Sequence, residues 1–248
     1  MRPVNKAYYA GFTVLIVLLL GFAWVYRQSI MSQLNTQIRG QFTVAERLNQ
    51  FGTSAAQRLQ AYFQQANLDF PPPKIALLAF KDSKQLQLYA PNKQGAWQWV
   101  HTYPIQAASG GLGPKLREGD KQVPEGLYQV ELLNPNSLFH VSLRLNYPNA
   151  FDKQMAALDG REQLGGDIMI HGKAKSIGCL AMGDPAAEEL FALAAWLGKD
   201  NLQVVIAPTD LRQVNAALPD NVPVWTQELY AQLKRELANY PLNNHLSE

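Results

Sequence analysis

The spacing of apolar positions divides the chain into segments of different period. From Ala7 to Tyr26 there is no charged side chain, and Phe12 to Phe22 is almost purely apolar. A helix over this stretch rises about 30 Å, enough to cross a bilayer core. Arg2 and Lys6 precede it, which predicts a cytoplasmic N-terminus with the rest of the chain outside the cytoplasm. A cleaved signal peptide is the competing reading, with Gly21 and Ala23 as the small residues before the cut. The apolar run continues through Trp24, Val25 and Tyr26, which favours an uncleaved anchor over residues 1–29. Residues 30–68 are polar, with Leu34, Ile38, Leu48, Phe51, Leu59, Tyr62 and Phe63 at loosely helical spacing. Gly52 interrupts them. The pattern predicts one broken helix, or two, forming a stalk over residues 30–73 that ends at Pro71, Pro72 and Pro73.

Beyond the prolines the pattern becomes that of strands. Lys74–Phe80 is a short apolar run, and Gln85–Tyr89 alternates apolar with polar. Trp97–Tyr103, Gly126–Leu133, Leu138–Leu145 and Asp167–His171 continue in the same style, and Gln203–Ala207 reads as a closing strand. One helix interrupts them. Asp184 can cap it, Pro185 suits its first position, and Glu188 and Glu189 complement its positive end. Leu190, Leu193, Ala194 and Leu197 then form its apolar face. A second helix is expected where Trp225, Leu229, Leu233 and Leu237 repeat every four residues. The pattern predicts a β-rich α+β domain over residues 74–208 and a helical extension over 209–248.

Composition narrows the function. Hydrophobic residues make up 47% of the 248-residue chain, enough for a real core. The formal net charge is +2 and the basic residues are spread out, so nucleic acid is not an expected partner. Cys179 is the only cysteine, which excludes a disulfide within the chain. His101, His140, His171 and His245 show no short helical spacing, so neither a metal site nor a cofactor is expected.

The segment Asp167–Asp184 concentrates the candidate chemistry. It puts His171 at the end of a predicted strand, followed by Gly172, and Cys179 eight residues later, preceded by Gly178. A thiol is mostly protonated at neutral pH, and a nearby imidazole can act as its general base. A strand end followed by a short loop can bring the two side chains together. Gly178 leaves the backbone N–H groups around Cys179 open to an incoming carbonyl oxygen, as an oxyanion hole requires. On these residues alone an inert core cysteine remains the commoner outcome.

The same residues resemble a known family. Ile170-His171-Gly172 followed by Ser176-Ile177-Gly178-Cys179 is similar to the signature of the L,D-transpeptidase (YkuD-type) catalytic domain, in its YafK-like branch. Gly113–Tyr128, with Pro124, Glu125 and Gly126 at a turn before a strand, resembles the same branch, as do Leu145–Asn149 and Gly165–Asp167. The resemblance covers roughly residues 74–208 and implies the YkuD-type fold. It implies Cys179 as a nucleophile that forms a thioester with a peptidoglycan stem peptide, and His171 as its base, oriented by a backbone carbonyl. It also implies that the Gly178 and Cys179 N–H groups hold the oxyanion, with Gly172 and Ser176 shaping the site. Two departures stand out. Ile177 occupies a position where many members have His, and Ala181 one where many have Arg. Val123 stands where the wider family usually has Thr.

Other residues carry weaker cases. His140 and Arg144 are two steps of alternation apart on one predicted strand and can bind a substrate carboxylate, although a solvated strand face is the plainer reading. Lys115, Arg117 and Lys121 form a basic cluster suited to anionic stem peptides or simply to solubility. Trp97 and Trp99 read as core or interface aromatics. The expected protein is a wall-modifying acyltransferase in the bacterial envelope. It is anchored in the inner membrane through residues 7–26, or secreted to the periplasm after cleavage, with peptidoglycan as partner. A hydrolase that trims stems or releases a wall-attached lipoprotein is the first alternative, and a silent wall-binding protein the second.

Overall fold

The apolar run at 75–80 owes its lack of alternation to a central position in the sheet. This strand, β1 (Ile75–Phe80), is buried on both faces. Ile75, Leu77 and Ala79 enter one core cluster, while Ala76, Leu78 and Phe80 enter another on the opposite face. The structure, a computed structural model, describes residues 41–242. The anchor expected at residues 7–26 lies outside them. Among the described residues no helix is long and apolar enough to cross a membrane.

Eight further strands follow in chain order. They are β2 (Gln85–Pro91), β3 (Trp97–Pro104), β4 (Ala107–Ala108), β5 (Gly126–Asn134), β6 (Ser142–Leu145), β7 (Met169–His171), β8 (Leu180–Ala181) and β9 (Leu202–Ala207). Their order in the sheet is β3-β2-β1-β9-β5-β6-β7-β8-β4. The sheet is mixed. β1 runs parallel to β9 and β7 parallel to β8, while the remaining pairs are antiparallel. The seven strands expected from the sequence are all present. The two-residue strands β4 and β8 are too short to show a period.

Among the described residues, four α-helices cover the sheet. α1 (Val44–Gln65) starts at a capping box in which Thr43 and Glu46 satisfy each other's backbone N–H groups. It runs unbroken through Gly52, where the expectation was an interruption. From its buried face, Phe51, Leu59 and Phe63 join the larger core cluster with Leu190, Phe191, Leu193 and Ala194. Residues 44–65 are therefore part of the folded unit and not a free stalk. The compact unit that contains the sheet begins at Thr43. The physical reason is the apolar stripe itself, which needs a partner surface. A Cβ at Gly52 would make only ordinary contacts, 3.6 Å from Leu48 and 3.8 Å from the Trp196 ring.

α2 (Ala150–Leu158) was not expected. Asn149 and Asp152 form its capping box. α3 (Asp184–Leu197) carries the expected apolar face, but its N-cap is Gly183 and no side chain caps it. α4 (Thr226–Leu237) buries Leu229, Leu233 and Leu237 against the second face of the sheet. Trp97 and Trp99 pack at the edge of that same cluster.

Candidate active site

The loop 172–179 joins two parallel strands that lie side by side. Register pairs Ile170 with Leu180 and His171 with Ala181. One step back, Cys179 falls beside Met169. Side chains alternate along strands, so Met169, His171 and Ala181 share one face, and Cys179 lies in the bend that leads into β8. The Cys179 Sγ lies 3.5 Å from the Asp167 carbonyl oxygen, at the entrance to β7.

His171 is 2% exposed and stacks on Phe139 with ring centroids 4.6 Å apart. Its Nδ1 lies 2.6 Å from the Gly172 carbonyl oxygen. A carbonyl only accepts, so Nδ1 carries the proton and Nε2 keeps its lone pair. Burial lowers the imidazole pKa, opposed by the Gly172 hydrogen bond. Burial pushes the Cys179 thiol up. Asp167 adds to that rise, while the Met169 backbone and the Lys115 charge work against it. Both directions favour a resting pair of neutral thiol and neutral imidazole over a thiolate–imidazolium pair.

The amides expected to hold an oxyanion are engaged in this structure. Gly178 N–H donates to Ser109 Oγ at 2.6 Å, and Cys179 N–H donates to Ser176 Oγ at 3.0 Å. Ser176 in turn donates to the Cys179 carbonyl at 2.6 Å, and Ser109 to the Lys121 carbonyl at 2.7 Å. Two serines thus pin the peptide groups around Cys179. Gly178 has a φ of +94°, a conformation that suits glycine. A substrate oxygen would take over these N–H groups from the hydroxyls. Ile177 beside them is 77% exposed.

The residues with weaker cases fall elsewhere. His140 is not on a strand with Arg144. β6 begins at Ser142, and His140 lies before it at a φ of +78°. Its Nε2 lies 2.9 Å from Glu188 Oε1, which holds it against α3. Arg144 pairs across to Glu131 at 2.7 Å and to Asp167 at 3.5 Å, so its guanidinium is already matched by carboxylates. Lys115 is buried, paired with Asp120 and bonded to the Arg117 carbonyl, so it does not form a surface cluster with Arg117 and Lys121. It acts on the site through its charge on Cys179. Gly172 lies under tight packing beside His171, with no room for a side chain.

Sequence reasoning missed Ser109, Phe139 and Asp184. Ser109 sits in a loop of small residues with no motif. Asp184 looked like an ordinary helix cap, yet its carboxylate bonds Lys173 instead. A buried pair, Lys81 and Glu125 at 3.1 Å, was also missed. It holds the base of the 109–123 loop, Lys81 through the Gly113 and Val123 carbonyls and Glu125 through the Gly113 N–H.

Comparison with known proteins places this geometry. The profile of the L,D-transpeptidase catalytic domain, YkuD, matches residues 75–206. A curated relative named "Putative L,D-transpeptidase YafK", from two strains of Escherichia coli, is 38% identical over 147 residues. The alignment covers 57% of this chain and 56% of the relative, so the chain spans little more than half the length of the curated relatives it matches. Among solved structures, Bd1075 of Bdellovibrio bacteriovorus aligns with a TM-score of 0.42 at 19% identity, over 66% of this chain and 54% of that one. The helical cell shape determining protein Pgp2 of Campylobacter jejuni aligns with a TM-score of 0.44 at 17% identity, over 68% and 70%. With the profile matched over half of its residues, the chain belongs to the L,D-transpeptidase catalytic domain (YkuD) family.

Proposed function

We propose that this protein is a cysteine-dependent acyl-transfer enzyme acting on peptidoglycan stem peptides at the bacterial cell envelope. Cys179 is the nucleophile and His171 the general base. The supporting observation is the His171 Nδ1 to Gly172 carbonyl bond, which leaves Nε2 unprotonated, on a strand that pairs with the one Cys179 leads into. In the first half-reaction Nε2 takes the thiol proton as sulfur attacks the stem-peptide carbonyl carbon. The carbonyl oxygen becomes an oxyanion held by the Gly178 and Cys179 N–H groups. Collapse breaks the peptide C–N bond, and the leaving amine takes the proton from His171. The product is a thioester on Cys179. In the second half-reaction an acceptor loses a proton to His171, attacks the thioester and frees the thiol.

The acceptor sets the outcome. An amine gives a cross-link or attaches a peptide, and water gives a shortened stem or a released wall-attached protein. The full-length chain is incubated with purified peptidoglycan, and the soluble products are read by mass spectrometry. New amide-linked products mark transfer, whereas shortened stems or released protein fragments mark hydrolysis. Folded Cys179→Ala protein is expected to give none of these. Product formation by that variant overturns the mechanism.

A further inference from the structure

The backbone around His171 is fully accounted for, and one peptide group stands apart. The His171 carbonyl accepts from Met182 N–H at 2.8 Å, Gly172 N–H donates to the Val141 carbonyl at 3.3 Å, and the Lys173 carbonyl accepts from Gly183 N–H at 2.9 Å. These partners are all backbone. The peptide group between Gly172 and Lys173 has side chains on both sides. Its carbonyl accepts from His171 Nδ1 at 2.6 Å, and its N–H donates to Asp184 Oδ1 at 2.9 Å. The other Asp184 oxygen takes Lys173 Nζ at 2.6 Å. Packing leaves this arrangement little freedom. A Cβ on Gly172 would stand 2.6 Å from Asp184 Oδ1 and 2.7 Å from the Phe139 carbonyl oxygen.

We propose that Asp184 is the positioning residue of the base, acting on His171 through the Gly172–Lys173 peptide group and not by direct contact. The inference rests on the reading of His171 as general base. The peptide group is planar, so fixing its N–H fixes the direction of its carbonyl. An N–H that donates to an anion polarises the same amide and makes its oxygen a stronger acceptor. The Nδ1–H bond is strengthened, the tautomer with a free Nε2 is held, and the imidazolium formed during reaction is stabilised. A carboxylate does the same work directly in serine triads. The charged groups facing Asp184 are Lys173 on the loop, His140 on the β5–β6 connection, and Glu188 one turn along α3, which bonds His140. The carboxyl is partly buried, which alone would raise its pKa, but the Lys173 ammonium and N–H and the nearby His140 hold it below the usual range, so it is an anion at neutral pH.

The test uses full-length protein and two readouts that need no wall substrate. One is the pH profile of Cys179 alkylation by iodoacetamide. The other is the His171 tautomer from ring-nitrogen NMR. Asp184→Asn keeps an oxygen for the Lys173 N–H and removes the charge. It is expected to slow alkylation about tenfold near neutral pH, a fraction of the roughly 10²–10⁴ a base supplies. Its profile is expected to move to higher pH and its Nδ1–H preference to weaken. A folded Asp184→Asn protein with the parent's profile and tautomer overturns the proposal. So does a parent protein whose His171 carries its proton on Nε2, a result that needs no variant to fold. His171→Gln separates the two readings. Parent-like alkylation in that variant overturns the base itself, whereas slow alkylation there beside an unchanged Asp184→Asn overturns only the role of Asp184.

Discussion

At the scale of residues, the proposed chemistry starts from a neutral thiol and a neutral imidazole. Because burial lowers the His171 pKa, the imidazole stays unprotonated to pH values below the ordinary histidine range. Activity on stem peptides is therefore expected to hold on mild acidification, and to fall only as pH drops through that lowered value. An acid limb above the ordinary histidine range, measured as kcat/KM against pH, would contradict this. Cys179→Ala and His171→Gln are each expected to cost several orders of magnitude, and the double variant little more, because residues acting as a unit are non-additive. Additive losses would show independent roles. His171 and Cys179 were visible as candidates in the sequence because each is a rare residue type beside a glycine. Ser109 and Asp184 were not. Their roles depend on which backbone N–H groups they meet across the fold, at sequence distances of 69 and 11 residues, and no local pattern encodes that.

At the scale of elements, legibility followed length and burial. β1, β9 and α4 announced themselves by runs long enough to show a period. β4 and β8, with two residues each, exist because their neighbours offer free edges. α2 is short and half-exposed, and its clearest signal, the pairing of Asn149 with Asp152, was overlooked. α1 was legible as a helix but not in its role, since an apolar stripe does not say what it faces. The stripe faces the core, with Leu59 and Phe63 both 0% exposed. Leu59→Ala is therefore expected to lower unfolding free energy by about 2–5 kcal/mol in chemical denaturation, the range for a buried leucine cavity. A helix acting only as a stalk would tolerate the change with a loss under about 0.5 kcal/mol, as exposed sites do.

At the scale of the whole molecule, pH acts on stability through groups that pull in opposite directions. Asp120, Asp184 and Asp210 each have a lowered pKa. Burial would raise them, but Lys115, Lys173 and Arg212 respectively, together with further hydrogen bonds and charges around each carboxyl, outweigh it. Their stabilising contribution is present above the unfolded carboxylate value and is lost as pH falls through the lowered folded values. His171 and His101 have pKa values lowered by burial, so their contribution is present above the ordinary histidine value and is lost on acidification through the lowered ones. Asp152 runs the other way. Burial raises it to about 6, against the Asn149 backbone, the Tyr128 hydroxyl and the charges of Arg161 and Lys153. Its protonated form is the one the fold prefers, so its contribution is full below the unfolded value of 3.8 and is lost as pH rises through about 6. The rise of some two units corresponds to on the order of 2–3 kcal/mol. Because the histidines oppose it over part of the same window, the parent's profile alone does not isolate it, but a difference does. Asp152→Asn keeps one oxygen for the Asn149 N–H of the α2 capping box and an amide for the Tyr128 hydroxyl, and it does not titrate. The unfolding free energy of this variant, minus that of the parent, is expected to rise by roughly 2 kcal/mol between pH 4 and pH 7. A flat difference over that interval would show that Asp152 ionises in the fold as easily as in the unfolded chain, and that Asn149 and Tyr128 fully offset its burial.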